Sequence, residues 1–445
     1  MTSEIKQRIE QINNGQVPTG YKETEFGIFP CDWVTDKTFG DLFSFNGGLS
    51  KSREELSENG IEYLHYGDMH RSDFNIASLE QYSKLPKYDT KIKGDESFLM
   101  QDGDVAFLDA SEDLEGTSRS VLIDNPENKP FIAGLHIIYG KPRGKELSKY
   151  YKQYLTRPEY IKKQFKKLAS GFKVYGLNRN TITGIKCAYP KSTAEQEKIA
   201  EILMKWDKAI ELYNQQIEKL TLLKSSCIKK MFPQKGEKVT EWRFKGFSNA
   251  WEQRKLGEVG TTYTGLSGKT KEDFGHGNGQ FVTYMNVFSN PVGLPDMTEA
   301  VEIDDSQNKV LFGDVLFTTS SETPEEVGMS SVWLENAENT YLNSFCFGYR
   351  PTVKFNPYYL AYMLRSSSMR KKITFLAQGI SRYNISKNKM MDIEIPIPNI
   401  EEQKQIGAFF KHLDKLITLH QRKVEIIIKQ RKALQQYLLN GIVRV

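Results

Sequence analysis

Two short loops at matching positions of the chain carry the side chains best suited to contact another molecule. Residues 171–179 read Gly-Phe-Lys-Val-Tyr-Gly-Leu-Asn-Arg, and residues 379–387 read Gly-Ile-Ser-Arg-Tyr-Asn-Ile-Ser-Lys. Each loop combines a flexible glycine with a cation, an aromatic ring and an amide, and such side chains contact phosphates and base edges. The candidate binding residues are Lys173, Tyr175, Asn178, Arg179, Ser381, Arg382, Tyr383, Asn384 and Lys387.

A second pair of loops lies earlier in each half of the chain. Residues 47–53 read Gly-Gly-Leu-Ser-Lys-Ser-Arg, and residues 265–271 read Gly-Leu-Ser-Gly-Lys-Thr-Lys. Taken alone, a loop of this kind is more often an ordinary turn than a binding site. Because each loop occurs once in each half of the chain, the sequence favours a binding role as much as an ordinary turn. The candidate residues of this second pair are Lys51, Arg53, Lys269 and Lys271.

A basic stretch surrounds each of the later loops. Residues 157–191 contain nine Lys or Arg against one acid, Glu159, and residues 358–389 contain seven Lys or Arg and no acid. One such run alone is usually a solvated helix face, but two at equivalent positions favour a surface for polyanions. Lys163, Lys167 and Lys371 are the candidate phosphate contacts from these stretches.

The sequence lacks the motifs of several kinds of catalysis. It has no Gly-x-x-x-x-Gly-Lys-Ser/Thr loop for a nucleotide and no Asn-Pro-Pro-aromatic tetrapeptide for a base to be methylated. Its four cysteines are scattered, without Cys-x-x-Cys pairs or histidines at ligand spacing, which argues against a zinc site or a disulfide framework. The carboxylate pairs Asp102/Asp104 and Asp304/Asp305 are interpreted as turn residues. We therefore expect no catalytic residue, no metal and no cofactor on this chain.

The composition is that of a globular protein large enough for two modules. The chain has 445 residues, a net charge of +5 and 39% hydrophobic residues. No apolar run approaches the length of about 20 residues that a bilayer-spanning helix requires, and the first thirty residues lack a signal-peptide core. These features predict a cytoplasmic protein.

Two long helices must position the loops, and they form an internal repeat. One begins after Pro190 and the other after Pro398, each with a Glu-Gln pair in its first turn. The apolar residues of each follow a spacing of 3.5 residues, which is typical of a coiled-coil seam. The seam residues are Ile199, Leu203, Trp206, Ile210, Tyr213, Ile217 and Leu220 in the first copy, and Ile406, Phe410, Leu413, Ile417, His420, Val424 and Ile427 in the second.

Both seams are interrupted at the same register, by Lys224 in one copy and Arg431 in the other. Because a helix this long cannot leave an apolar stripe in water, we expect the two copies to pair in antiparallel fashion. His420 is interpreted as a packed seam residue. The segment 5–12 is expected to complete the repeat where the two ends of the chain meet.

Before each long helix lies a module with duplicated framing residues. Gly103-Asp104-Val105 matches Gly313-Asp314-Val315, and Trp33 matches Trp251, both expected to be core residues. Strands are predicted at residues 120–123, 131–139, 331–334 and 345–349, and helices at 150–167 and 358–375. The segments 71–92 and 289–302 do not match each other. The fold class is therefore predicted as α+β: two α/β modules on one scaffold, with different reading surfaces and two long antiparallel coiled-coil helices in a pseudo-twofold repeat.

With these elements in order, the chain resembles the specificity subunit of type I restriction–modification enzymes over almost its whole length. The resemblance is carried by Gly-Tyr-Lys-Glu-Thr-Glu-Phe-Gly at residues 20–27, by residues 244–256, and by the twin helices 190–232 and 398–440. It implies an N-terminal arm (1–19), target recognition domains at 20–190 and 245–398, a central conserved helix (191–233), a linker (234–244) and a C-terminal conserved helix (399–445).

The resemblance also implies partners. Each recognition domain would read one half of a bipartite site in double-stranded DNA, and the helices would set the spacer and dock two methyltransferase subunits. Those subunits would bring S-adenosylmethionine, and two restriction subunits, where present, would bring ATP and Mg. The alternative is a two-headed coiled-coil scaffold without DNA contact, which the duplicated basic stretches disfavour. A self-sufficient enzyme is disfavoured by the missing motifs.

Overall fold

A computed structural model describes residues 2–71, 76–78, 85–89, 96–234 and 236–445. The chain forms two compact units. The first unit comprises Met1–Leu212 and Val424–Val445, and the second unit comprises Tyr213–Lys423. The units divide the chain differently from the predicted domain boundaries, because each includes part of both long helices. Among the described residues, every helix is too short or too polar to cross a lipid bilayer.

The first unit contains the first α+β module. Its helices are α1 (Ser3–Asn13), α2 (Phe39–Leu42), α3 (Tyr66–Arg71), α4 (Glu159–Leu168) and α5 (Arg179–Thr183). Its strands are β1 (Tyr21–Thr24), β2 (Gly27–Pro30), β3 (Trp33–Thr38), β4 (Phe43–Gly47), β5 (Ile61–Leu64), β6 (Ile76–Ser78), β7 (Lys87–Tyr88), β8 (Val105–Leu108), β9 (Ala110–Ser111), β10 (Ser120–Asp124), β11 (Phe131–Ala133), β12 (Ile137–Pro142), β13 (Tyr175–Gly176) and β14 (Lys186–Pro190). Short 3-10 helices lie at Arg53–Glu55, Glu96–Phe98, Gly116–Ser118 and Tyr150–Tyr154.

The first long helix, α6 (Thr193–Lys230), leads from the first unit into the second. The helices that follow are α7 (Tyr284–Ser289), α8 (Pro357–Met363), α9 (Ser367–Phe375), α10 (Lys387–Met391) and the second long helix, α11 (Ile400–Leu439). The strands are β15 (Glu252–Lys255), β16 (Gly260–Thr264), β17 (Phe274–Val282), β18 (Thr298–Val301), β19 (Val315–Thr318), β20 (Ser320–Ser321), β21 (Ser330–Val332), β22 (Thr340–Leu342), β23 (Cys346–Pro351), β24 (Tyr383–Asn384) and β25 (Glu394–Ile397). Short 3-10 helices lie at Leu256–Glu258, Lys271–Asp273 and Pro295–Met297.

The sheets of the two units repeat the same topology. The main sheet has the order β4-β12-β8-β10-β6 in the first unit and β16-β23-β19-β21 in the second. A second sheet has the order β11-β5-β7 in one unit and β18-β17-β22 in the other, each with one parallel pair. The small pairs β13-β9 and β14-β3 correspond to β24-β20 and β25-β15. The predicted internal repeat is therefore confirmed for these sheets, although β6 and the pair β1-β2 have no equivalent strands in the described part of the second unit, and the fold class is α+β.

The duplicated Gly-Asp-Val motif forms the turn that precedes the central strand of each main sheet. Gly103 and Gly313 have φ of +82° and +88°, the left-handed region that favours glycine. The carboxylate of Asp104 then accepts from the Gln101 amide at 2.8 Å, and that of Asp314 accepts from the Leu311 amide at 2.9 Å. The motif thus fixes the chain direction at the start of β8 and β19, whose residues are all buried.

The predicted core residues are confirmed, whereas several predicted elements differ in detail from expectation. Trp33 and Trp251 are buried as expected. The single helix predicted over 150–167 is split into a 3-10 helix and α4, because Pro158 has no amide proton and restricts the preceding residue. The helix predicted over 358–375 is likewise two, α8 and α9, because Ser366 is extended. The strand predicted over 131–139 is interrupted at residues 134–136, where His136 has φ of +59°. The divergent segment 71–92 is described only at residues 71, 76–78 and 85–89.

The two long helices run antiparallel within each unit. In the first unit, Glu195 near the start of α6 contacts Arg444 beyond α11, and Asp207 further along α6 contacts Arg431. In the second unit, Tyr213 packs on His420, whereas the later residue Lys224 contacts Asp414. The predicted antiparallel pairing is confirmed, and His420 is a seam residue half-buried against Tyr213.

The shared interruptions of the seam are ion pairs, each with a tyrosine. In the first unit, Arg431 lies 2.9 Å from Asp207, which also accepts from the Tyr154 hydroxyl at 3.0 Å. In the second unit, Lys224 lies 2.5 Å from Asp414, which accepts from the Tyr362 hydroxyl at 2.5 Å. We call these sets the first and second Tyr–Asp–cation clusters. Because each contains one residue from each long helix and one from the module, they fix the module against both helices.

The glutamine of each Glu-Gln pair attaches its helix to the preceding module. Gln196 donates to the Pro190 carbonyl at 2.8 Å and accepts from the Ser148 amide at 2.7 Å. Gln403 donates to the Pro398 carbonyl at 2.9 Å and accepts from the Asn356 amide at 3.0 Å. Both glutamines are buried. The spacing between proline and glutamine is thus explained by a buried hydrogen bond that closes the first turn of each long helix.

The first and last described segments of the chain meet in the first unit. Arg8 on α1 donates to the Ile442 carbonyl at 2.8 Å, and the Tyr21 hydroxyl donates to the Gly441 carbonyl at 2.7 Å. The expectation that the arm completes the repeat at this point is in agreement with these contacts.

Candidate nucleic-acid interface

The later candidate loop of the first unit is a tight hairpin. Ser170 and Gly176 exchange two backbone hydrogen bonds of 3.1 and 2.7 Å. Gly171 has φ of +133°, and a Cβ at this position would lie 1.9 Å from the Val174 carbonyl oxygen, so only glycine fits. The hairpin is held to the module because β13 pairs with β9 and the Leu177 amide donates to the Asp109 carbonyl at 2.7 Å.

The second unit repeats this hairpin with different side chains. Gln378 and Asn384 exchange backbone hydrogen bonds of 3.0 and 2.8 Å, and β24 pairs with β20. A Cβ at Gly379 would lie 2.0 Å from the Arg382 carbonyl oxygen. The Arg382 guanidinium lies 5.7 Å from the centre of the Phe345 ring, within the range of a cation–π contact.

Most of the predicted hairpin residues are accessible. Lys173, Arg179, Ser381, Arg382 and Asn384 are exposed, and Tyr175, Tyr383 and Lys387 are half-buried. Asn178 is exposed too, but its side-chain oxygen accepts from the Thr181 amide at 3.0 Å and caps α5. The structure thus gives Asn178 a capping role, which fixes the orientation of its side chain and leaves its amide protons available for other contacts.

The basic stretches contain two kinds of cation. Lys163, Lys167 and Lys371 are exposed on α4 and α9 and form no ion pair with the residues that the structure describes. Arg365 and Arg370 are instead half-buried and donate to backbone carbonyls of their own module, and desolvation lowers the pKa of each guanidinium to about 10. Part of the predicted charge excess is therefore structural, and no sequence pattern distinguishes the two kinds.

The earlier loops hold their cations in ion pairs. Lys51 lies 2.8 Å from Glu55, Arg53 lies 2.8 Å from Asp68, and Lys269 lies 2.9 Å from Asp304. Hydrogen bonds to these carboxylates raise the pKa of Lys51 and of Lys269. Lys271 is exposed without such a pair in the described part of the chain. A phosphate would have to compete with the existing partner at three of these four positions.

The structure brings the earlier and later loops of each unit to the same strand connection. In the first unit the Leu49 amide donates to the Ala133 carbonyl at 2.8 Å, and His136 lies 2.9 Å from Asp109, whose carbonyl anchors the hairpin. In the second unit the Leu266 amide donates to the Leu342 carbonyl at 2.8 Å, and Arg382 lies over Phe345. The two predicted loops of each module therefore border one surface.

Sequence reasoning missed a histidine cleft on that surface of the first unit. The cleft has a volume of about 530 Å³ and is lined by Ser52, Arg53, His65, Tyr66, Gly67, His70, Glu112, Asp113, Leu135 and His136. The Tyr66 ring contacts all three histidines, with ring centroids at 4.4 Å for His65, 5.2 Å for His136 and 6.3 Å for His70. Burial lowers the pKa of His65, which favours its neutral form.

The second unit has different residues at the equivalent positions. Aligning β5 with β17 and β12 with β23 places Thr283, Phe288 and Phe345 where the first unit has His65, His70 and His136. Only the tyrosine, Tyr284 in this unit, is retained. The chemistry of the two surfaces therefore differs on a common frame. Three of the six histidines of the chain lie in this cleft, but their spacing along the sequence gave no signal.

Known proteins are similar in sequence to this chain over almost its whole length. A sequence profile of the type I restriction modification DNA specificity domain matches residues 30–222 and 249–429. The putative type I restriction enzyme MjaX specificity subunit of Methanocaldococcus jannaschii is 23% identical over 444 residues, covering 96% of this chain and 97% of that protein. The type I restriction enzyme MjaVIII specificity subunit of the same organism is 25% identical over 460 residues, again covering 96% and 97%.

A solved structure has the same fold. The S subunit of the type I restriction–modification system from M. genitalium matches with a TM-score of 0.54 and 14% identity, covering 92% of this chain and 96% of that chain. The alternative of a scaffold without DNA contact finds no support in these comparisons. The profile covers most of both modules and both long helices, and the chain therefore belongs to the type I restriction–modification DNA specificity family, as a specificity subunit with two target recognition domains.

Proposed function

We propose that each module of the chain reads one half of a bipartite sequence in double-stranded DNA. The observation that carries the proposal is the duplicated hairpin, which presents an aromatic residue at the same place and an exposed cation close to it in both modules. Tyr175 and Tyr383 are the equivalent aromatic residues, whereas the cation lies two residues earlier in the first module (Lys173) and one residue earlier in the second (Arg382). An arginine can bind guanine through two hydrogen bonds, whereas a lysine offers a single charged group.

The exposed cations of α4 and α9 would position the duplex. Lys163, Lys167 and Lys371 have no anionic partner among the described residues, so their charges are available to phosphates. Phosphate contacts orient a protein on DNA without selecting a sequence, and each releases counterions. Binding should therefore weaken steeply with salt for any duplex, whereas the preference for one sequence should depend on the hairpins and their neighbours.

The two half-sites would differ in sequence because the two surfaces differ in chemistry. In the first module, the cleft around Tyr66 offers imidazoles and the carboxylates of Glu112 and Asp113, which can exchange hydrogen bonds with base edges. In the second module, Phe288 and Phe345 stand in place of His70 and His136 and can make only apolar or cation–π contacts. An asymmetric recognition sequence is the expected result.

The long helices would set the spacer between the half-sites and dock two methyltransferase subunits. Both helices carry exposed large apolar side chains away from the seam, such as Leu222 and Leu223 on α6 and Ile426 and Ile428 on α11. Several large apolar side chains exposed on the same pair of helices exceed what scattered surface residues explain, and they favour a protein partner. The chain itself would be non-catalytic and cytoplasmic. S-adenosylmethionine would be bound by the methyltransferase subunits, and ATP and Mg by restriction subunits where these are present.

The proposal is tested by expressing the chain with its methyltransferase subunits and mapping methylated adenines in the DNA of the host. We expect methylation within a sequence of two specified parts that are separated by a fixed unspecified spacer. Methylation at a single uninterrupted sequence, or none that depends on this chain, would refute the proposal. The duplex found in this way is the probe for every DNA-binding experiment below.

A further inference from the structure

The tip of each hairpin carries a large apolar side chain with almost no protein contact. Phe172 is 91% exposed and Ile380 is 95% exposed, and each directly follows the glycine that closes its hairpin. A scattered exposed hydrophobic residue is ordinary on a protein surface. Here two occur at equivalent positions of two equivalent loops, and they are the most exposed of the large apolar side chains among the described residues, so chance is a poor explanation.

The position of each tip is fixed by the backbone. The bridges between Ser170 and Gly176 and between Gln378 and Asn384 close the hairpins, and Gly171 and Gly379 permit a turn that no other residue could form. Below the tips, the Leu177 amide binds the Asp109 carbonyl at 2.7 Å, and the Ile385 amide binds the Thr319 carbonyl at 3.0 Å. Each apolar side chain is thus presented by a short, anchored hairpin and loses little backbone freedom on binding.

The surroundings of the tips favour a polyanion with an apolar interior. Phe172 is followed by Lys173, and Ile380 lies two residues before Arg382, both exposed. Lys167 and Lys371 add exposed cations on the preceding helices, whereas the acid Glu115 is already paired with Lys166. A base-pair step of duplex DNA matches this arrangement, since it offers stacked apolar faces between two rows of phosphates.

We propose that Phe172 and Ile380 are wedges that insert between adjacent base pairs, one in each half-site, and partly unstack them. The inference rests on the proposed reading of DNA by both modules and specifies how the hairpins contact it. The flat ring of Phe172 can stack on a base, while the branched side chain of Ile380 can only fill the gap between two bases. Each half-site should therefore contain one step that opens easily, such as TA or CA.

The test uses the chain in complex with its methyltransferase subunits and the duplex identified by methylation mapping. 2-Aminopurine, an adenine analogue, replaces single adenines one at a time, outside the methylated adenines, because its fluorescence increases when the base is unstacked. We expect one position in each half-site to become brighter on binding. Phe172→Ala should abolish the increase in the first half-site only, and Ile380→Ala in the second only. Loss of one stacking contact should weaken binding roughly tenfold to a hundredfold.

Matched variants separate a wedge from a charge contact and from a docking contact. Lys173→Ala should weaken binding and reduce the salt dependence of binding, while the fluorescence increase remains. Phe172→Trp should also preserve the fluorescence increase, because the tryptophan ring can stack on a base. Tight and sequence-preferring binding without any fluorescence increase would overturn the wedges and leave the proposed function intact. A loss of methyltransferase assembly in Phe172→Ala with normal fluorescence would assign the tip to a protein contact instead. Absence of sequence preference in the unmodified complex would overturn both proposals.

Discussion

Arg431 on α11 pairs with Asp207 on α6 at a distance of 2.9 Å between Nε and Oδ1. The pair interrupts an otherwise apolar seam, and its counterpart, Lys224 with Asp414, interrupts the other half of the same seam. A polar pair in an apolar seam seldom adds stability over apolar residues, but it can specify register. We interpret the two pairs as the elements that fix the alignment of the helices, once in each unit.

Removing one partner of this pair should destabilise the first unit alone. We expect Asp207→Asn to lower the free energy of unfolding of the first unit by roughly 1–3 kcal/mol, because Arg431 is left half-buried without its anion. Hydrogen exchange of amides on β8 reports this unit, and amides on β19 report the other. Asp414→Asn is the matched control and should act on β19 only. Equal effects of either substitution on both strands would contradict this interpretation.

The hairpin residues should act on one half-site each. The double substitution Arg382→Ala and Tyr383→Ala should weaken binding roughly tenfold to a hundredfold. It should also remove the sequence preference at the half-site that the second module reads, because base contacts are lost. The measurement is binding to duplexes mutated in one half-site at a time. Arg382→Lys with Tyr383→Phe should lose less, and Lys173→Ala with Tyr175→Ala should affect the other half-site. An unchanged sequence preference would refute the assignment of these residues.

The length of the long helices should determine the spacer of the recognised sequence. One heptad inserted into each helix, after Leu212 and after Lys423, leaves both Tyr–Asp–cation clusters intact. Seven helical residues add about 10.5 Å, which corresponds to about three base pairs of duplex. We expect recognition of a longer spacer, or loss of binding, when duplexes of different spacer lengths are compared. A heptad inserted into α6 alone would break the register and is the control. Recognition of the original spacer by the doubly extended chain would refute the proposal that the length of the helices sets the spacer.

A buried carboxylate should make the first unit sensitive to pH. Burial raises the pKa of Asp104 to about 6 from an ordinary value of 3.8. The protonated form therefore contributes stability that is fully present below about pH 4 and is lost as the pH rises through 6. Asp104→Asn, which still accepts from the Gln101 amide, should stabilise the first unit at pH 8 by on the order of 2–3 kcal/mol and much less at pH 4.

The equivalent residue in the second unit is the control for this prediction. Asp314 pairs with Arg350 at 2.8 Å, so Asp314→Asn removes a favourable contact and should destabilise the second unit at pH 8. Hydrogen exchange of β8 and β19 at pH 4 and pH 8 measures both effects. A gain from Asp104→Asn that is equal at the two pH values would show that protonation is not its cause.

The architecture could be predicted because the sequence contains periodic and duplicated patterns that correspond to it. The heptad spacing of Ile199 and Leu203, and of Ile406 and Phe410, predicted two paired helices, and the repeated Gly-Asp-Val turn predicted two similar modules. The shared interruptions at Lys224 and Arg431 were also visible. Their partners Asp414 and Asp207 were not, because a contact between residues far apart in sequence has no local signature.

The binding surface could be predicted only as a set of loops. Lys51, Arg53 and Lys269 were predicted as binding residues for their charge, but in the folded module each lies in an ion pair with a carboxylate. It placed Arg365 and Arg370 in a basic stretch, although both bind backbone carbonyls inside the module. It passed over Phe172 and Ile380, since an apolar side chain in a loop gives no local indication of burial or exposure.

The first unit is assembled from segments that are made at very different times. Its core includes Leu438 and Leu439, and Arg8 and Tyr21 bind carbonyls of residues 441–442. The second unit, by contrast, is one continuous stretch, Tyr213–Lys423. During synthesis, every residue of the second unit therefore leaves the ribosome before residues 424–445, which the first unit needs to complete its core.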